Sequence, residues 1–356
     1  MSFFSTKEKA FGLDISDQTL RFVQMGGRPA KPQIKSYNEI RLPAGCVVNG
    51  QIKQPQIFID HLKKLAKTKS GRGQLSREAV VVLPEAGTFL KSLSIEAADA
   101  KELPDKIKEA LPKEIPLELE EIYFDWEIAD KKPGHFQVLA GVSPKQTVDE
   151  YLDIISQAGI TPVVLDLEAI AIAQLLIDQN GDHQPKIIID IGQNRTGLFL
   201  YDGNNIQFSV SLPLSGNYID TIIAEALDLT MEQAEEAKIT CGFDSGKCHG
   251  ALIEVLDPAI TDLTSQINGA IDFYENSFDA SQKISEIILC GGGANMINLA
   301  KVLNQQTGLS TTVSEPFKTV KNPDPEFFTS HRSQSFVTAI GLGLRGLKPQ
   351  TFYDHA

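Results

Sequence analysis

The chain has 356 residues, 42% of them hydrophobic and 22% charged, and its 33 Lys and Arg against 46 Asp and Glu give a net charge of -13. That length exceeds the size at which single cores stop growing, so two lobes are expected, and the acidic balance argues against a nucleic-acid footprint. No apolar run approaches the ~18 residues of a membrane span, residues 1–10 lack the apolar core and cleavage site of a signal peptide, and four scattered cysteines suit a reducing cytoplasm.

In chain order, residues 11–17 are an apolar run ending in Asp14 with a polar break, and 20–25 are a second apolar run; together they predict a strand, a turn and a returning strand. Residues 57–67 carry apolar side chains at 58, 59, 62, 65 and 66, one helical stripe with lysines opposite. A loop over 68–73 precedes a buried-type strand, 79–83, stopped by Pro84. Residues 100–119 predict a helix interrupted at Pro104, Pro112 and Pro116. Residues 123–128 and 136–142 predict a hairpin around 131–134, so 88–142 is expected to be a small α/β insertion. A helix over 148–158 closing at Gly159, a strand over 162–166 and a helix over 168–178 follow.

Residues 187–193 and 197–203 repeat the opening pattern, with Asp190 and Gly192 in the places of Asp14 and Ser16. Beyond them come helical residues at 221–238, a long helix over 257–279, a strand over 284–290 and the run Gly291-Gly292-Gly293-Ala294. A helix over 299–306, an extended segment at 310–314 and a final helix near 333–345 complete the chain. The tail, 348–356, shows no amphipathic stripe. Cys241, Cys248 and His249 alone resemble a metal-ligand cluster, and their spacing fits no zinc pattern.

Two hairpins, each with Asp at the end of its first strand, are suited to a magnesium–phosphate ligand held between related halves. Mg²⁺ keeps several waters and takes few protein oxygens, so Asp14 and Asp190 are the candidate metal-shell residues. The turns beside them, Ser16-Asp17-Gln18 and Gly192-Gln193-Asn194, are candidate phosphate contacts through backbone amides. Gly291, Gly292, Gly293 and Ala294 offer a flat backbone surface to a sugar and base. Glu235 and Lys238 lie one helical turn apart, placing a carboxylate for ribose hydroxyls and a Lys stem for a base. Each piece alone has an ordinary reading as a turn, bend or solvated pair; their order along the chain carries the argument.

That order resembles the actin-like ATPase fold, a two-lobed α/β fold of duplicated RNase H-like domains. The resemblance implies a first lobe over 1–185 with the insertion at about 88–142. It implies a second lobe over 186–356, whose final helix, about 333–347, packs back at the hinge. Residues 14–17 would match the first phosphate loop, 190–194 the second, 291–294 the adenosine motif, and 165–169 and 339–343 the connecting helices. Glu168 looks like the acidic residue facing the attacking water, the one candidate catalytic group; it reads equally well as a charge favoured by a helix N-terminus.

Within that superfamily the chain is similar to the type IV pilus assembly protein PilM family. Residues 42–52, 107–117, 121–128, 158–162 with Asp166, 234–238, 291–294 and 339–346 carry the likeness. It implies ATP and Mg²⁺ as ligands, and docking of the cytoplasmic N-terminal tail of a PilN-like inner-membrane protein in a groove around 91–128. It also implies a cytoplasmic protein held at the inner membrane face through partners, other pilus platform or motor components among them, and no nucleic-acid partner. Ser16-Asp17-Gln18 departs from the family's glycine-and-serine pattern, and Arg195 intrudes in the second loop, which favours binding over turnover: at most a weak ATPase. Three alternatives stay open. A nucleotide-free scaffold fits the same residues; an FtsA-like division protein needs a C-terminal amphipathic helix that 346–356 does not offer; a small-molecule kinase needs an acceptor base that no motif supplies.

Overall fold

The computed structural model describes residues 9–177, 184–203, 205–277, 282–321 and 324–347; the expectations for the two ends of the chain, 1–8 and 348–356, lie outside them. Two compact units emerge. The first comprises Met1–Asp178, Pro316–Asp324 and Thr338–Ala356, and the second Gln179–Glu315 and Pro325–Val337. The final helix thus divides at its first residue, and nearly all of it belongs with the first unit.

In the first unit the elements are β1 (Phe11–Ile15), β2 (Thr19–Arg28), β3 (Lys31–Arg41), the short β4 (Val47–Val48) and β5 (Gln51–Ile52), and α1 (Pro55–Lys67). Then come β6 (Ser70–Gly71), β7 (Glu78–Val82), β8 (Phe89–Glu96), α2 (Leu103–Glu114), β9 (Ile122–Lys132), β10 (His135–Pro144), α3 (Lys145–Gln157), β11 (Thr161–Asp166) and α4 (Glu168–Leu176). One sheet has the order β11-β7-β1-β2-β3-β6. β7 runs parallel to β1 and β11, as near-continuous Ala79–Val82 requires of a strand covered on both faces. The stripe predicted on α1 is the buried one: Phe58, Ile59, Leu62 and Leu65 pack with Phe11, Leu13, Val81 and Ile155. Each such side chain contributes on the order of 1.5–3 kcal/mol of burial.

The insertion pairs β8 and β9 on either side of β10, all antiparallel, with α2 on one face. Leu103, Ile107 and Leu111 of α2 meet Phe136, Val138, Ala140 and Val142 of β10 in a separate small core. The helix was expected to break at Pro112 but runs through it to Glu114. Only one hydrogen bond is lost in a last turn; the helix stops instead because Ile115 precedes Pro116 and is extended (φ -129°, ψ 147°). Another difference is β6, which pairs with β3 where a loop was expected.

The second unit repeats the arrangement with β12 (Lys186–Ile191), β13 (Thr196–Asp202), β14 (Asn205–Leu212), α5 (Gly216–Leu227), α6 (Met231–Thr240), α7 (Ala251–Ser277), β15 (Glu286–Cys290), α8 (Leu299–Thr307), β16 (Ser310–Val313) and α9 (Ser330–Gln334). Its strand order is β16-β15-β12-β13-β14, with β12, β15 and β16 parallel. β1-β2-β3 with β7 and β11 thus correspond to β12-β13-β14 with β15 and β16, which is the duplication implied by the twin hairpins. The helical stretch 221–238 is two helices: Asp228 closes α5 in the left-handed conformation (φ 51°), and a Thr230/Gln233 capping box opens α6. Cys241 and Cys248 are joined in a disulfide, where free thiols were expected; the loop between them brings their Cα atoms to 5.9 Å.

α10 (Val337–Leu347) lies against β1 and α4 at bare-backbone distance. A Cβ on Gly12 would stand 2.4 Å from the Gly343 amide nitrogen, and one on Gly341 1.9 Å from the Ala171 carbonyl oxygen. Gly341→Ala is therefore expected to destabilise the protein by about 3 kcal/mol through overpacking. Urea denaturation checks this; a loss under about 0.5 kcal/mol would contradict the close packing.

The segment Pro316–Asp324 is tied to β3 by the Tyr37 hydroxyl, which donates to Asp324. Burial first, then that bond and the Asp324 charge, push the Tyr37 phenol up to about 12 from 10.0. An unfolded chain releases this proton near 10 and the folded one holds it, so stability falls as pH rises from about 10 to about 12. Tyr37→Phe is expected to flatten that part of a denaturation-midpoint profile.

Candidate functional site

In the first unit β1 and β2 form a tight hairpin. The Ser16 amide donates to the Thr19 carbonyl (3.0 Å), and the two hydroxyls lie 2.8 Å apart. Asp14 ends β1, 6% exposed, with the Arg21 guanidinium 3.5 Å away. Arg21 also holds Glu39 at 2.6 Å. Arg21 is the cross-strand neighbour of Asp14, so counting pairs outward from the turn finds it. The sequence reading missed it.

Asp17 does not lie bare in its loop. Its carboxylate accepts the Asn49 and Gly50 amides, both at 2.9 Å, so the negative charge it places in the loop is partly balanced by a neighbouring turn. That turn reaches further: the Gly50 carbonyl accepts the Tyr151 hydroxyl of α3 at 2.7 Å. Gln18 is exposed at the loop's tip, and its carbonyl accepts the Leu42 amide at 2.8 Å. Glu168 stands half-buried in the first turn of α4, after Asp166, whose carboxylate accepts the Leu167 amide at 2.9 Å.

In the second unit Asp190 is half-buried at the end of β12 and accepts the Cys290 thiol at 3.7 Å. The loop after it docks on α5: the Gly216 and Asn217 amides donate to the Gly192 and Gln193 carbonyls at 2.9 and 2.8 Å. The Asn217 side chain bonds both Gln193 (2.5 Å) and Asn194 (2.6 Å). Gly192 closes the turn on the Arg195 carbonyl at 2.9 Å.

The glycine run has divided roles. Gly291 takes φ 79°, and a Cβ there would lie 2.2 Å from Asp190 Oδ1; one on Gly293 would lie 2.2 Å from Ile191. Those two residues let β15 turn directly over the end of β12. Gly292 meets only Ser335 Oγ at 3.4 Å, so the flat surface expected of all three belongs chiefly to this one. Ala294 is buried at 2% exposure.

Glu235 and Lys238 part company. Glu235 is exposed, while Lys238 is buried with its ammonium 2.7 Å from Asp220 of α5. The Lys238 charge is thereby neutralised by a residue 18 positions earlier, which no local pattern reveals. The Lys238 head therefore serves the α5–α6 contact, whatever its stem covers. Among the described residues no three His, Cys, Asp or Glu converge as metal ligands. Magnesium, which keeps most of its waters, does not require that.

A duplicated hairpin unit with Asp at each first strand's end and a glycine turn over the second defines the actin-like ATPase fold class. Solved structures agree. A PilM-PilN type IV pilus biogenesis complex superposes with TM-score 0.80 at 24% identity, covering 96% of this chain and 100% of that one. Ethanolamine utilization protein EutJ from Carboxydothermus hydrogenoformans gives 0.58 at 15% over 94% and 89%. MreB5 of Spiroplasma citri bound to ADP gives 0.52 at 13% over 94% of each. The family model described as type IV pilus assembly protein PilM matches residues 12–347, and the chain belongs to that family. The cell division protein FtsA of Buchnera aphidicola subsp. Acyrthosiphon pisum is 23% identical over 155 residues, 36% of this chain; the match spans only 37% of that relative's length.

The buried Lys238–Asp220 pair gives a test. Asp220→Ala leaves an uncompensated buried ammonium and is expected to cost about 3–5 kcal/mol, whereas Asp220→Leu with Lys238→Met recovers most of it. Chemical denaturation of the two variants beside the unmutated protein checks both halves.

Proposed function

We propose that this protein is a cytoplasmic, ATP-binding assembly scaffold of a type IV pilus or related inner-membrane platform, docking the cytoplasmic tail of a PilN-like membrane protein. The observation that carries the nucleotide half is the turn at Gly291: a strand end folded so closely over Asp190 that no Cβ fits. Asp14 and Asp190 would hold the water shell of Mg²⁺, whose bound charge offsets that of the phosphates. Ser16, Asp17, Gln18, Gly192, Gln193 and Asn194 would border the phosphates, and Gly291 to Ala294 with Glu235 and Lys238 the nucleoside. Half-buried Asp190 fits a metal's water shell. Asp14 fits it only by sharing its charge with Arg21, which is why we assign binding rather than turnover and give Glu168 at most a weak catalytic role. That a relative of this fold carries ADP, and another is a complex with PilN, supports the reading.

The tail half rests on the insertion. Among the described residues no helix is long and apolar enough to cross a membrane, so membrane attachment would come through the partner. A second reading, a scaffold without nucleotide, draws on the same Asp14–Arg21 pair, which satisfies Asp14 internally.

Calorimetric titration with Mg-ATP, on protein freed of copurified nucleotide, separates the two. Saturable binding is expected, weakened at least tenfold by Asp190→Ala. Absence of binding at millimolar ATP leaves the scaffold. Pull-down on immobilised PilN tails tests the partner, and retention by none of them removes it.

A further inference from the structure

Charge is spread unevenly along this chain. Residues 28–77 hold eleven of its 33 Lys and Arg and only two of its 46 Asp and Glu, so this stretch carries +9 while the remainder carries -22. Such asymmetry orients a protein in the field of a charged surface.

The fold gathers most of these cations around one end of the first unit's sheet, and the Asp14–Gln18 loop lies at the other end of β1. Arg28 and Lys31 face each other across the β2–β3 turn, which projects past the start of β1. Arg77 lies two residues before Ala79, the neighbour of Phe11 at that same start. The chain after β6 is drawn in by backbone and buried groups: the Arg72 amide donates to the Lys35 carbonyl at 2.7 Å, and the Ser36 hydroxyl to the Arg72 carbonyl at 2.9 Å. Gln24, fully buried, donates to the Gln74 carbonyl and accepts the Ser76 amide. α1 ends beside β3, where the Asn38 side chain donates to the Leu65 and Thr68 carbonyls at 3.2 and 2.9 Å. Its apolar stripe faces inward, so Lys63, Lys64 and Lys67 are left exposed.

These charges lack answering carboxylates. Lys63, Lys64, Lys67, Arg72 and Arg77 are exposed and form no ion pair among the described residues. Of the two acids in the stretch, Glu39 is held by Arg21 at 2.6 Å and Asp60 takes the Gln56 amide at 3.1 Å. Lys67 follows Lys63 and Lys64 by one helical turn, a like-charge arrangement that disfavours the helix in isolation. An anionic surface laid against it reverses that cost.

We propose that this basic end lies on an anionic lipid surface, adsorbing through headgroup phosphates without entering the acyl layer. Cations within a Debye length of a negatively charged leaflet are each attracted to it. Of the large hydrophobic side chains in the stretch only Val48 and Ile57 are exposed, so nothing there wedges into lipid. Its two aromatic residues, Tyr37 and Phe58, are buried, which leaves no platform on which nucleic-acid bases could stack. The contact goes beyond the tail-docking reading, because it needs no partner protein. Beside a bound tail it would act as a second, weak attachment whose avidity exceeds either alone.

The test is flotation of the full chain, without any partner peptide, with vesicles of phosphatidylcholine alone or mixed with phosphatidylglycerol. The protein is expected to float with the mixed vesicles and not the neutral ones, and to be released as salt is raised. Lys63→Glu with Lys67→Glu and Arg72→Glu is expected to weaken vesicle binding at least tenfold. Lys247→Glu with Lys283→Glu and Lys301→Glu makes the same charge change at exposed positions of the second unit and is expected to retain most of it. Denaturation curves verify that both variants fold. Failure to bind the anionic vesicles, equal binding to the neutral ones, or equal losses in the two variants overturns the inference. So does a preference for duplex DNA over the mixed vesicles. Each of these outcomes leaves the tail reading standing, since the pull-down on PilN tails decides that separately.

Discussion

The contact on which the first unit depends is a helix laid on a strand with nothing between their backbones. Gly12 of β1 faces the Ala339 carbonyl and Gly343 amide of α10, and Gly341 faces the Ala171 carbonyl of α4. Gly346 closes the same face on the Ala10 carbonyl. Dispersion is short-ranged, so this proximity strengthens every surrounding contact while tolerating no added methyl group. β1 is thereby held from both faces, and the Asp14–Gln18 loop it carries is held with it. The position of a candidate phosphate loop is set by glycines more than 300 residues away in sequence.

The two hairpins share a plan and differ in what stabilises them. In the first, Asp14 answers to Arg21 and Asp17 to the amides of Asn49 and Gly50. In the second, the loop leans on the first turn of α5, and Asp190 stands beside Cys290 and beneath Gly291. One loop is braced by charge and the other by backbone. A ligand anion approaching the first meets carboxylates that already have partners, which softens the repulsion that the bare sequence implies.

Much of this was legible in the residues. Apolar runs ending in Asp reveal hairpins because the period of two and the turn residues are local properties, and the insertion announces itself by its alternating 123–128 and 136–142. What escaped is what depends on distance or on a helix's neighbours. α2 passes Pro112 because its core face continues to Leu111 and the lost bond falls in the final turn. The split between α5 and α6 needed Asp228 to be recognised as a left-handed cap. Lys238 looked like half of a solvated pair, since its true partner Asp220 sits on another helix. The Cys241–Cys248 bond hung on a loop conformation that composition could not supply.

The first unit is closed by its last element. β1 precedes the second unit in the sequence and α10 follows it, so β1 lacks its α10 cover until the whole of that unit has left the ribosome. The β1–α10 contacts therefore join residues far apart in sequence, and closing so long a loop is the slow kind of step in folding. Until then the Gly12 face of β1 and the α4 backbone at Ala171 stay open to water, to chaperones and to other nascent chains. A glycine that lets two backbones touch at equilibrium thus also fixes the order of events: the second unit is complete before the first can be.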